Sequence, residues 1–417
     1  MFLLINRTVC LFFVTLFLLI NHAWGKTIRV GPTETYTTIN AALRAAQDGD
    51  TVMVAKGHYQ EGNIVIDKSI YFIGIDTPVL DGGKNVEILS VAANGVTVKG
   101  FRIQRSGQAT LNDPAGIKVY DSEHVTIEGN YLYDNFFGIY MQYSRHCIIK
   151  DNVLIALAKE EYQSGNGIHC WKSNNLQVTG NRIVGHRDGI YFEFVTHSVI
   201  WRNVIQQNLR YGLHFMFSHN DAYFTNYFKK NGAGVAVMYT KNVVMMNNTF
   251  EDSWGDAAYG ILLKDISDCY MAGNHFVNNT TGIFMDGSNR MRIEKKSLRG
   301  NGWALRIQAN CMDNVVTRNN FQGNTFDVST NGSLTLNVFD GNYWDKYEGY
   351  DLDKDKKGDV PYHPLSLFSM IVEQNPPAML LFRSFMIGLL DKSERMLPSL
   401  TPENFVDKNP LMTPLAL

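Results

Sequence analysis

Charge of one sign is missing from this chain: 38 lysines and arginines face 40 aspartates and glutamates, and no basic block breaks that balance. Without a basic stripe there is no electrostatic footprint for a phosphate backbone, so nucleic acid is excluded as a partner class. Apolar runs long enough to span a membrane are missing too. Val9 to Ile20 is a dozen residues, short of the ~20 that a helix needs to cross a bilayer core. With Arg7 before it and Ala23-Trp24-Gly25 after it, that run reads as the apolar part of a signal peptide spanning residues 1–25. Export to a periplasmic or extracellular compartment is therefore expected. Cysteine is scarce. Cys10 lies inside the leader, where a lipid anchor is not expected, and Cys147, Cys170, Cys269 and Cys311 remain. A chain of this length buries an ample core without disulfide staples.

Glycine and asparagine are plentiful, and they recur at a fixed interval. A glycine followed by an aliphatic residue stands at Gly116-Ile117, Gly138-Ile139, Gly167-Ile168, Gly189-Ile190, Gly212-Leu213, Gly234-Val235 and Gly260-Ile261. In each case an asparagine follows 14 residues after the glycine, from Asn130 and Asn152 through Asn248 and Asn274. Short alternating runs separated by Asn, Gly and Asp turns are half-buried strands, too short for helices. Strands repeating at about 22 residues cannot bury a face alone and must stack as a solenoid. The expected fold is all-β, a right-handed parallel β-helix over residues 26–364. Thr37 to Asp50 reads as an amphipathic helix capping its first coil. Residues 365–417 form an apolar helical or extended tail, either a cap folded back on the solenoid or a partner-docking segment.

A solenoid converts repeat positions into columns about 4.8 Å apart. Eight residues after the glycine come His124, His146, Asn175, His197, Asn220, Asn242 and Asp268, a turn column in which the histidines are structural. His219 belongs to the same turn, and His186 falls in a column of asparagines. The four mature-chain cysteines form no neighbouring pair; Cys147, Cys170 and Cys269 point inward as small apolar residues. The outward columns of the first strand differ. Two residues after the glycine come Tyr140, His169, Tyr191 and His214; four after it come Trp171, Glu193, Met216 and Met238. His214, Met216 and Met238 form an imidazole and thioether set suited to Cu(I), which Glu193 and His169 can extend. The alternative is an aromatic and methionine surface that only packs or binds protein. Two longer repeats insert residues just before this strand and are expected to wall the face in.

Near the end, Asp351, Asp353, Asp355 and Asp359 alternate as in a calcium loop. Lys356 and Tyr362 occupy positions where an EF-hand carries glycine and glutamate, so Ca2+ there would be structural, and a solvated acidic turn is the alternative.

The N-terminal GDTVMVAKGHYQEG, the glycine-to-asparagine coils, NYWDKYEGYDLDKDKKGDVPY at 342–362 and the apolar tail together resemble the NosD family, periplasmic maturation factors of nitrous-oxide reductase. The resemblance implies an accessory protein rather than an enzyme. It implies partnership with an ABC transporter (ATPase and permease), a copper chaperone lipoprotein and the reductase, at the periplasmic face of the inner membrane. The tail would dock on the permease through Phe382, Phe385, Met386 and Leu389, and the walled face would hand on copper, or sulfur. Two alternatives stand beside this. One is a β-helix lyase, hydrolase or epimerase acting on acidic glycans, with Glu193, Asp256 and Asp286 lining a groove; the outward columns offer it no close carboxylate pair. The other is a non-catalytic binding solenoid.

Overall fold

The computed structural model describes residues 25–108, 113–332, 336–382, 384–396 and 405–416. The leader expected at 1–25 lies outside the described residues apart from Gly25. Among the described residues, strands of two to six residues stack into three parallel sheets of 14, 12 and 13 strands. Each coil contributes one strand to each sheet, so the chain is a parallel β-helix.

The columns read from the sequence are the columns of the fold. Ile139 pairs with Ile168, Ile168 with Ile190, and Ile190 with Leu213, all in parallel register. Three-residue strands such as Ile148–Lys150 and Val199–Trp201 bury only their central residue. Inside, like stacks on like: the Phe228 and Phe250 rings are 5.2 Å apart, and Phe250 and Phe276 4.6 Å. The recurring glycine marks the corner where coils approach most closely. A Cβ at Gly189 would lie 2.5 Å from the carbonyl oxygen of Gly212, a contact no side chain tolerates.

The asparagine fourteen residues on satisfies the next corner. Asn203 Nδ2 donates to the carbonyls of Val178 and Trp201 and to Asn226 Oδ1, while its own Oδ1 accepts from Asn181 N and Nδ2. The unit repeats from Asn130 to Asn274. His186 belongs to a second ladder, its N–H donating to Asn208 Oδ1. The His124 column is structural, for a different reason than a side-chain ladder. His124, His146, Asn175, His197, Asn220, Asn242 and Asp268 all have φ between 53° and 60°, the left-handed region that favours Asn, Asp and His among residues with a Cβ. Cys147, Cys170, Cys269 and Cys311 are free and buried.

Both ends are covered. Helix Ile39–Ala45 seals the first coil with Ile39, Ala42 and Leu43; Thr38 Oγ1 accepts from Ala41 N, and Glu61 accepts from Ile39 N and Asn40 N. At the other end Asp407 terminates the asparagine ladder, accepting from the backbone N–H of Gly341 and Asn342, from Asn342 Nδ2 and from Trp344 Nε1. The tail is thus less free than a docking segment spanning 365–417 would be. Residues 405–416 return to the solenoid, and helix Leu367–Gln374 packs Phe368 and Val372 on Phe326. Glu373 pairs with Arg306 at 2.7 Å and accepts from Ser329. No described helix is long and apolar enough to cross a membrane.

Candidate metal centre

The site face is the outer side of the 12-stranded sheet, where Ile168–Trp171, Asp188–Glu193, Tyr211–Met216 and Ala233–Met238 lie side by side. Register places Tyr140, His169, Tyr191 and His214 on successive rungs, and Glu193, Met216 and Met238 on successive rungs of the neighbouring column. The rings form a continuous stack. Tyr140 and His169 are 4.5 Å apart and parallel; His169 and Tyr191 are 4.9 Å apart, and Tyr191 and His214 4.5 Å. Although these side chains point away from the solenoid core, His169 and His214 are only 8% and 5% exposed. The inserted segment over 157–166, with its short turn Glu161–Gln163, stands at this edge. Its Ser164 hydroxyl lies 3.3 Å from His186 Nδ1, and the Glu161 charge acts on Arg210 and Tyr211.

The two histidines face different carboxylates. His169 Nε2 lies 3.8 Å from Glu193, and His214 Nδ1 lies 3.6 Å from Asp188. Both gaps exceed a hydrogen bond. All four ring nitrogens are buried without a hydrogen-bond partner. Burial pushes the His169 imidazole below its usual range, against the pull of Glu193. The His169 imidazole in turn holds the Glu193 carboxyl below the usual carboxylate range. Burial alone would raise the Asp188 carboxyl, but His214 and the Arg210 guanidinium outweigh it and hold it down at about 2. Arg210 grips Asp188 with two donors, at 2.9 and 2.6 Å.

The arrangement divides the expected five-residue set. Tyr191 stands between His169 and His214, so the two imidazoles are two rungs, or about 9.6 Å, apart. Ligand bonds of about 2 Å cannot close that distance on one ion. His214, Met216 and Met238 occupy adjacent rungs and form one group; His169 and Glu193 form another. The Tyr191 hydroxyl donates to the Met216 sulfur at 3.4 Å, so that sulfur already faces the ring stack. A buried imidazole beside two flexible thioethers is a donor set for a soft monovalent ion.

Asp188, Arg210 and Tyr191 complete the site and were not singled out by column reading. One signal for Asp188 was present. The residue before the glycine is Ala115, Phe137, Tyr211, Ala233, Tyr259 or Thr281 in other coils, so Asn166 and Asp188 are strongly polar substitutions in a mostly apolar column.

The acidic loop gathers Asp351, Asp353 and Asp355, whose carboxylate oxygens lie within 4.8 Å of one another. It is the one such His/Cys/Asp/Glu group among the described residues. Asp359 stays apart and accepts from Leu352 N at 2.6 Å. Asp351 and Asp355 accept from the backbone N–H groups of Lys356 and Lys357, so the loop closes on itself as an acidic turn. In the tail, Phe382 turns inward, 6.0 Å from the Phe326 ring and 6.3 Å from Phe368, because the Pro376–Leu381 turn folds it over the helix before it. Phe385, Met386 and Leu389 are exposed, and Leu380, at 91% exposure, joins them.

Fold and face define a parallel β-helix whose outer surface, not its core, carries the candidate ligands. Similar architecture occurs in PfbA, a surface adhesin of Streptococcus pneumoniae (TM-score 0.57, 12% identity, covering 71% of this chain and 88% of that one). It occurs also in the catalytic domain of a GH87 alpha-1,3-glucanase (TM-score 0.55, 11% identity, covering 76% and 69%). At such identities the likeness is one of fold alone. Residues 37–165 match the model of the right-handed β-helix region, and residues 154–349 match that of the periplasmic copper-binding protein (NosD). A Pseudomonas aeruginosa protein named "Probable ABC transporter binding protein NosD" is 31% identical over 389 residues, covering 89% of this chain and 90% of its own. A Stutzerimonas stutzeri protein of the same name is 27% identical over 85% of each. The chain belongs to the NosD family.

Proposed function

We propose that this chain is a periplasmic accessory protein that holds Cu(I) in transit at His214, Met216 and Met238. It passes the ion on during assembly of the copper centres of nitrous-oxide reductase, in association with an ABC transporter and a copper chaperone lipoprotein. The observation that carries the reading is the pair of buried, unpartnered His214 nitrogens on a rung that also carries Met216, with Met238 on the next rung. Leaving buried polar atoms unpaired costs about 1–3 kcal/mol each, a loss that a metal bond would offset. The family's copper-binding description and the relatives' transporter-binding name support the same reading. His169, one rung beyond Tyr191, and Glu193, on the Tyr191 rung, serve as an entry or exit station rather than as ligands of the same ion. Exposed Leu380, Phe385, Met386 and Leu389 suit docking on the permease.

Titrating the chain from Lys26 onward with Cu(I) against a chromophoric chelator tests the reading. One equivalent should bind, and Met216→Leu with Met238→Leu should weaken it by at least tenfold. Unchanged binding in the double variant would move the metal elsewhere. Phe385→Asp with Leu389→Asp should abolish co-purification with the transporter while leaving copper binding intact.

A further inference from the structure

Half of the buried, unpartnered side-chain polar atoms among the described residues lie on one patch. Among the described residues, Asn166 Nδ2, Arg187 Nε and both nitrogens of His169 and of His214 are buried without a partner, all on three successive coils. The histidine atoms can accept a metal. The other two cannot, because an amide N–H and a guanidinium N–H only donate. Asn166 is fully buried, and its Oδ1 is spent accepting from Arg187 Nη2 at 3.2 Å, which leaves its Nδ2 facing nothing.

Charge makes the same point. Arg210 and Asp188 neutralise each other at 2.6 Å, and Asp188 takes a further N–H from Tyr211. Glu193 lies 3.8 Å from His169 Nε2. Among the described residues Arg187 forms no ion pair, although it stands near enough to His169 and Tyr191 for its charge to act on both. A guanidinium with a buried, unused Nε–H beside a buried, unused amide N–H forms a two-donor fork that wants a planar acceptor.

We infer that Asn166 and Arg187 form an oxyanion subsite beside the His169 station, binding a carboxylate or a small inorganic oxyanion. The anion would neutralise Arg187 and fill both donors. Two sources share this chemistry: a free inorganic anion, or an acidic side chain presented by a protein that exchanges metal with the face. The subsite goes beyond the copper reading and does not depend on it.

Calorimetric titration of the copper-free chain at low ionic strength, with sodium phosphate and separately with sodium acetate, tests the subsite. One-site binding of at least one of them is expected. Arg187→Gln should weaken it tenfold or more, Asn166→Ala should weaken it less, and Lys172→Gln, an exposed cation at the other end of strand Ile168–Trp171, should leave it within twofold. Thermal unfolding of each variant separates loss of the subsite from loss of the fold. Preference for phosphate would identify a free anion as the occupant, and preference for acetate a partner's carboxylate. Binding of neither anion, or equal binding by a folded Arg187→Gln variant, would overturn the inference. Since no copper is present, failure here would leave the metal reading untouched, and success would not vindicate it.

Discussion

The same strands present two faces that obey opposite rules. On the inner face and at the corners neighbouring coils largely repeat: from Asn130 to Asn274 asparagine donates to asparagine, and from Phe228 to Phe276 phenylalanine stacks on phenylalanine. On the outer face of the 12-stranded sheet adjacent coils differ, placing Asn166, Asp188 and Tyr211 in one column and Trp171, Glu193 and Met216 in another. Repetition lets each group satisfy the next and gives stability. Breaking the repetition leaves groups unsatisfied, which suits binding.

The comparison breaks most visibly in the interior. Phe250→Ala would open a cavity between two stacked rings and should cost about 4 kcal/mol, read as a lower urea midpoint at unchanged m-value. Asn203→Ala would remove three donated bonds and leave Asn181 without its acceptor. It should cost about 3 kcal/mol in the same assay, as befits one rung of a ladder.

On the outer face, Asp188 has a carboxyl held at about 2 in the folded chain. A carboxyl whose folded value is depressed stabilises the fold above its unfolded value of about 3.9 and loses that contribution as the pH falls. Asp188 should therefore supply about 2 kcal/mol at neutral pH that disappears between about pH 4 and pH 2. Asp188→Asn should flatten this part of the acid-unfolding curve.

The last effect has the opposite sign. Burial raises the Asp221 carboxyl to about 8, with Ser198 N as its hydrogen-bond donor. A raised carboxyl penalises the folded state progressively as pH climbs from about 4 to 8. Asp221→Asn should raise the melting temperature at pH 8 and leave it nearly unchanged at pH 4.

Much of this was legible in the sequence because a solenoid makes position in the repeat equivalent to position in space. The glycine-to-asparagine interval gave the coil, and counting from the glycine placed His169, Tyr191 and His214 in one column and Glu193, Met216 and Met238 in the next, as the strand register has them. Columns do not tell which way a side chain leans. Counting therefore grouped His169 with His214, whereas the stacked Tyr191 ring keeps them apart. Nor do columns reveal pairing along the sheet, so the grip of Arg210 on Asp188 went unseen. The left-handed backbone of the His124 column was likewise hidden, since histidine and asparagine also serve as side-chain hydrogen-bonding partners. The tail was the least legible part. Its apolar residues serve two masters, Phe368 and Phe382 turning inward while Phe385 and Met386 face out, and composition alone does not sort them.

The most direct test of the central claim, that the broken repetition of the outer face exists to bind copper, is X-ray absorption of the Cu(I)-loaded chain. The account predicts a mixed shell of thioether sulfur and imidazole nitrogen, which loses sulfur in Met216→Leu with Met238→Leu and is unaltered in His169→Ala. A shell of nitrogen and oxygen alone, or one altered by His169→Ala and not by the methionine changes, would contradict it.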